Sequence, residues 1–264
     1  MYPEFETRTS YKYLRKVIAA LKEPICILGG WAVFLHVNKR FQEAQGRPYL
    51  GSRDIDLGFH LDKNATIDEM KNSALAKSLD ILEKKLNFQS VAFRLLKEIH
   101  TETEEEIEDG KSIPAHFIFP MYVDVLVDHI PQKFREVFRF QPADEPLLQF
   151  VFAGRMHREE LKEFDKKLWL PKTELLLATK LNALKLRDKE HKKIKDLCDI
   201  FALLWYTKEK PRELQKKVMR YMPLKNIKKI IHVLDEDDYQ KASVQVNHSL
   251  QEIKKVVELL IAGE

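Results

Sequence analysis

The sequence predicts an α/β (α+β) protein, a sheet flanked by helices and followed by a mainly helical C-terminal domain. Three observations carry this. Short apolar runs of strand length alternate with helically spaced segments as far as about residue 130. A glycine pair, Gly29-Gly30, joins one such run directly to a helical pattern. From Pro171 onward the apolar spacing is helical throughout. These patterns divide the chain into domains of residues 1–160 and 161–264, with the boundary within 150–171.

The elements follow in order. Residues 10–22 have helical apolar spacing and are stopped by Pro24. Ile25–Leu28 is a short buried strand, and the glycine pair turns it into a helix from Trp31 to about Lys39. Residues 40–51 contain Gly46, Pro48 and Gly51 and are expected to be a loop. Arg53–His60 is a strand. A single amphipathic helix is expected over about 66–86, with Met70, Ala74, Leu75, Leu79 and Leu82 on its apolar side. Phe88–Ile99 is expected to be a strand, the acidic stretch 101–110 a solvated turn, and Ala115–Phe119 and Met121–Ile130 two further strands. Residues 131–170 hold short strands and turns around Pro142 and Pro146. Pro171 opens a helix to about Arg187, with Glu174 in its first turn. Further helices cover about 190–207, begin at Pro211, and continue to Leu260.

Composition excludes several classes. The chain has 264 residues, 44% hydrophobic and 33% charged, with no apolar run long enough to cross a membrane. Its first residues lack the basic-then-apolar pattern of a signal peptide, so a cytoplasmic protein is expected. Cys26 and Cys198 lie apart in apolar patterns and read as buried thiols. Residues 151–264 carry 25 Lys+Arg against 18 Asp+Glu, whereas residues 1–150 are net negative. Within 185–230 there are 15 basic and 6 acidic residues, interleaved with Trp205, Tyr206 and Tyr221. That charge suits a nucleic-acid acceptor, although the aromatics fall at core-like helical positions.

The chemistry concentrates on Asp54-Ile-Asp56. On a strand the two carboxylates share a side, and adjacent carboxylates repel unless a cation lies between them. Oxygen-only ligands suit Mg²⁺, with Mn²⁺ as an alternative ion. A third acid, Asp124, sits inside the apolar run Met121–Val127, where an unpaired charge is costly. If its strand neighbours Arg53–His60, the three carboxylates can hold two metal ions, the arrangement for in-line phosphoryl transfer. Asp128 projects to the same side and is the alternative third ligand. Arg53, Arg94 and Lys97 become phosphate or base contacts if their strands border the cleft, and otherwise are surface charges. His36, His100, His116 and His129 show no metal spacing, and no nucleophile elbow, Walker loop or Cys/His cluster occurs.

Gly29-Gly30, Asp54-Ile-Asp56 and Asp124 together resemble the DNA polymerase β-like nucleotidyltransferase superfamily. The resemblance implies a nucleotidyltransferase-type mixed sheet. It also implies Mg²⁺ on Asp54, Asp56 and Asp124, activation of the acceptor hydroxyl by Asp124, and an NTP whose triphosphate contacts Gly29, Gly30 and Ser52, with Arg53 beside them. The Lys180-centred helix, followed by Asp196-Leu-Cys-Asp199, resembles the AbiEii toxin branch. It implies that Lys180 offsets transition-state charge, that Asp196 and Asp199 belong to the nucleotide site by orienting Lys180 or a basic neighbour, and that a toxin is paired with an antitoxin protein. The expected activity is transfer of NMP to an RNA or tRNA, protein or small-molecule acceptor. The alternatives are a non-catalytic nucleotide or nucleic-acid binder of the same fold, and a metal-dependent phosphohydrolase.

Overall fold

A computed structural model describes residues 2–92, 94–107, 113–138 and 140–262. The chain divides into two compact units, one of Tyr2–Leu28 with Gly51–Leu170, the other of Gly29–Leu50 with the chain from Pro171 onward. Helix Gly29–Gln45 thus groups with the C-terminal helices, where consecutive domains were expected. Its apolar side explains this: Trp31, Val33, Val37 and Phe41 are buried, and Phe41 meets Tyr206 edge-on at 5.0 Å.

The first unit is built on a mixed sheet flanked by helices. Its strands are β1 (Ile25–Ile27), β2 (Ile55–Phe59), β3 (Gln89–Val91), β4 (Arg94–His100), β5 (Ile118–Val127), β6 (Ala143–Asp144), β7 (Arg158–Glu163) and β8 (Lys166–Pro171). Their order is β3-β4-β5-β2-β1-β8-β7, with β6 added to the end of β5. β2 runs parallel to β5 and antiparallel to β1, while β1 is parallel to β8. The alternation of β5 is regular, with Phe119, Met121, Val123, Val125 and Val127 buried. Helix Glu4–Ala20 closes over this core with Leu14, Val17 and Ile18.

Several expectations are corrected. The first helix begins at Glu4, directly after Pro3. The helix after the glycine pair continues through 40–45, because Phe41 is fully buried and only Gly46, at φ +68°, stops it. Residues 66–86 form two helices, Ile67–Asn72 and Ala74–Lys84, because Ser73 leaves helical geometry to cap the second with its hydroxyl. β5 is one strand through Pro120. Its pairing with β2 begins only at Val123, so one side of Pro120 has no ladder to serve. Residues 115–117 form a 3₁₀ turn, and the expected strand at 88–99 is a β3–β4 hairpin. Of the acidic stretch 101–110, residues 108–110 lie outside the described residues.

The second unit is helical: Gly29–Gln45, Thr173–Lys185, Glu190–Tyr206, Pro211–Val218, Leu224–Ile231, Glu236–Val246 and Leu250–Glu258. Glu190–Tyr206 is its centre, burying Leu197, Cys198, Ile200, Phe201, Ala202 and Leu203. Both cysteines are buried and free, and burial raises Cys26 to about 12, which leaves it an inert thiol. Among the described residues no helix is long and apolar enough to cross a membrane.

Candidate active site

In the first unit the acids of the sequence pattern converge. Parallel pairing of β2 with β5 sets Asp56 directly beside Asp124, and Asp54 lies just before β2, two residues upstream of Asp56. Parallel partners present their side chains to the same side of the sheet. The Leu28 amide donates to the Asp56 carbonyl at 3.0 Å, continuing the β1–β2 ladder to the residue before the glycine pair.

The sequence also supplies a cation here that its pattern did not single out. Arg94, the first residue of β4, stands opposite Asp124 in the antiparallel β4–β5 register. Its Nε donates to Asp124 Oδ1 at 2.7 Å, and one Nη donates to Asp124 Oδ2 at 2.5 Å. The same Nη reaches Asp54 Oδ2 at 3.3 Å. The guanidinium lies 3.9 Å from the centre of the Tyr122 ring. These side chains are partly open to solvent, 18% for Arg94, 16% for Asp54 and 19% for Asp124.

Three carboxylates on neighbouring strands form an oxygen-only donor set, which is the chemistry Mg²⁺ requires. Backbone register therefore fits a divalent ion. The side chains instead spread around Arg94. Among the described residues no three His, Cys, Asp or Glu side chains gather around a common point for a metal.

The neighbours divide between site and scaffold. Ser52 is buried ahead of Asp54. Arg53 is 3.5 Å from Glu6 and lies over the Phe119 ring. Asp128, the alternative third acid, is fully buried. Its Oδ1 accepts from the Leu61 amide at 3.0 Å and its Oδ2 pairs with His60, so it ties the ends of β2 and β5 together. Lys97 is buried against Glu106 at 2.5 Å.

In the second unit, Gly29 has φ +58°, a left-handed geometry that suits glycine and lets the chain turn from strand to helix. Gly30 is buried in the first turn of that helix, whose free amides carry the positive end of the helix dipole. His36 points away from any open surface, its Nε2–H donating to the Pro171 carbonyl at 2.9 Å.

Lys180, Asp196 and Asp199 are also brought together, in a buried network. Lys180 Nζ donates to Asp196 at 2.9 Å and lies 2.7 Å from Asp199. Arg187 donates to Asp196 at 2.6 Å, Lys195 to Asp199 at 2.5 Å, and the Tyr49 hydroxyl to Asp199 at 2.8 Å. Burial alone would raise the Asp196 pKa, but Lys180 and Arg187 overcome it and hold the carboxyl below its ordinary value. Burial would likewise lower Lys180, and the two aspartates raise it instead. Trp205, expected at a core position, is 45% exposed and stacks on Phe201.

No protein-family model matches the sequence. No curated protein matches it either. Among solved structures, the chain is similar to an antigenic nucleotidyltransferase-like protein from Paracoccidioides brasiliensis. The identity is 18% and the TM-score 0.40, with 86% of this chain and 91% of that one covered.

Proposed function

We propose that the protein is a Mg²⁺-dependent nucleotidyltransferase that moves an NMP group from an NTP to an acceptor hydroxyl. The observation that carries this is the parallel register of Asp56 with Asp124, with Asp54 two residues upstream. That register supports Asp124 over Asp128 as the third acid, since Asp128 is committed to His60 and Leu61. Bound Mg²⁺ would polarise the phosphate and stabilise the leaving pyrophosphate.

The chain's own groups supply the rest. Asp54, Asp56 and Asp124 hold the ions, and Asp124 takes the proton from the acceptor hydroxyl. That oxygen bonds to the α-phosphorus as the α–β bridging bond breaks and pyrophosphate departs. The amides that follow Gly29 and Gly30, with Ser52, meet the triphosphate, as helix N-termini suit anions. Lys180, Asp196 and Asp199 act in the same reading as a scaffold, which their burial favours. The surplus of basic residues in 185–230 supports an RNA acceptor such as tRNA. The AbiEii resemblance extends the reading to a toxin with an antitoxin partner.

The test incubates the protein with each labelled NTP, Mg²⁺ and total RNA. Label is expected in the acceptor and pyrophosphate in solution, both lost with Asp54→Ala and Asp56→Ala. Release of phosphate without acceptor labelling would replace this reading with a phosphohydrolase. A second reading is a nucleotide-binding protein without catalysis, favoured by the neutralisation of Asp54 and Asp124 by Arg94. It requires nucleotide affinity that Asp54→Ala and Asp56→Ala leave unchanged, with no labelling.

A further inference from the structure

We infer that Arg94 is the site's exchangeable cation, released from Asp54 and Asp124 by a divalent metal ion and taken up by the substrate's phosphate oxygens. The inference rests on the metal-dependent reading above and goes beyond it by assigning a positioning residue.

The geometry shows competition. Arg94 occupies both oxygens of Asp124 and one of Asp54, the lone pairs a metal ion would need. A guanidinium and a divalent cation cannot both hold them, because like charges at this distance repel in a partly desolvated site. The charge count favours the exchange: three acids surround one arginine, so two negative charges remain for a stronger cation.

Arg94 also has nowhere far to go. Its Cα is fixed opposite that of Asp124 by the β4–β5 ladder, and its guanidinium rests on the Tyr122 ring. A displaced guanidinium therefore stays within a side chain's reach of whatever Asp124 binds. Mg²⁺ in phosphoryl-transfer sites bridges carboxylates to phosphate oxygens. A planar fork of donors is suited to those oxygens. The arginine that keeps the acids together without metal thus becomes a phosphate contact once metal and substrate arrive. Metal alone binds against Arg94, and metal with phosphate binds with its help.

The experiment measures binding of Mn²⁺ alone, and of the Mg²⁺ complex of inorganic tripolyphosphate, to wild type, Arg94→Gln and Arg94→Lys. Arg94→Gln is expected to bind Mn²⁺ about tenfold more tightly, the worth of one charge-assisted hydrogen bond. It should bind the tripolyphosphate complex several-fold more weakly, and Arg94→Lys should fall between on both. Thermal unfolding and circular dichroism verify that each variant is folded. A merely structural arginine would shift both affinities the same way or neither. Equal Mn²⁺ binding by wild type and both variants, beside its loss in Asp56→Ala, overturns the inference and leaves the proposed function standing. Absence of Mn²⁺ binding in every variant and in wild type overturns the metal-dependent reading, and the inference with it.

Discussion

Two clusters in this protein use the same kinds of side chain to opposite ends. In the sheet unit, Asp54, Asp56 and Asp124 face a single Arg94, partly open to solvent. In the helical unit, Asp196 and Asp199 face Lys180, Lys195 and Arg187, with both aspartates essentially inaccessible. The first has surplus negative charge where a ligand can reach it. The second has more cations than acids where one cannot. Surplus charge in an accessible place is paid for in repulsion and persists only where something binds it. A buried network with each acid matched fixes helices against one another, and its loss is felt as stability.

The sharpest way to break that contrast is a pair of substitutions. Asp56→Ala is expected to lower nucleotidyl transfer about 10²–10³-fold, as when an electrostatic group aimed at transition-state charge is removed. Its stability should stay within about 1 kcal/mol of wild type. Lys180→Met should cost about 3 kcal/mol, because Asp196 and Asp199 keep their burial and lose the cation they share. Activity per folded molecule should then change little. Urea unfolding and the labelling assay on the same samples decide it. A Lys180→Met protein that is stable and inactive would transfer Lys180 from scaffold to chemistry.

The sequence disclosed these clusters unequally. Asp54-Ile-Asp56 and Asp124 stood out because charge inside apolar runs needs a reason, and the strand-to-helix turn was marked by Gly29-Gly30. Arg94 as their partner was not legible. Thirty residues separate it from Asp124, and only the β4–β5 register brings them opposite. The same holds for Lys97 and Glu106, which pair across a turn of unreadable length. Local breaks were misjudged where tertiary context overrode punctuation. Pro120 sits inside a strand because its open side lacks a partner at that point, and Phe41 draws a helix on to Gly46. Ser73 shows the converse, a cap hidden within a good helical pattern.

A smaller effect separates the acid-bearing strand's packing from its charge. Gly58 is two residues past Asp56 on β2, and a Cβ there would lie 2.9 Å from Leu148 Cδ2, 3.0 Å from Cys26 Sγ and 3.1 Å from Leu28 Cδ1. Gly58→Ala should therefore destabilise by about 1–2 kcal/mol through overpacking, less than Lys180→Met. Nucleotide affinity should fall with the folded fraction alone. A loss of affinity at full folding would mean that the strand's position, as well as its carboxylates, sets the site.

The smallest expected effect is in acid, and it belongs to the helical cluster. The Asp196 carboxyl is held below its ordinary value, with burial working against Lys180 and Arg187 and losing. A depressed carboxyl contributes stability that is fully present above its unfolded pKa of about 3.9 and is lost as pH falls through the folded value. No loss from this group is therefore expected between pH 7 and about 5, and a decline sets in below about pH 4. Each pH unit between the unfolded and folded values removes about 1.4 kcal/mol from wild type. Asp196→Asn begins less stable at pH 7, since Lys180 and Arg187 lose a charged partner, and lacks this part of the decline. Urea midpoints at pH 6, 4 and 3 should thus converge as pH falls. Parallel curves for the two proteins would show that Asp196 titrates alike folded and unfolded, and would remove the matched-charge account of the buried cluster.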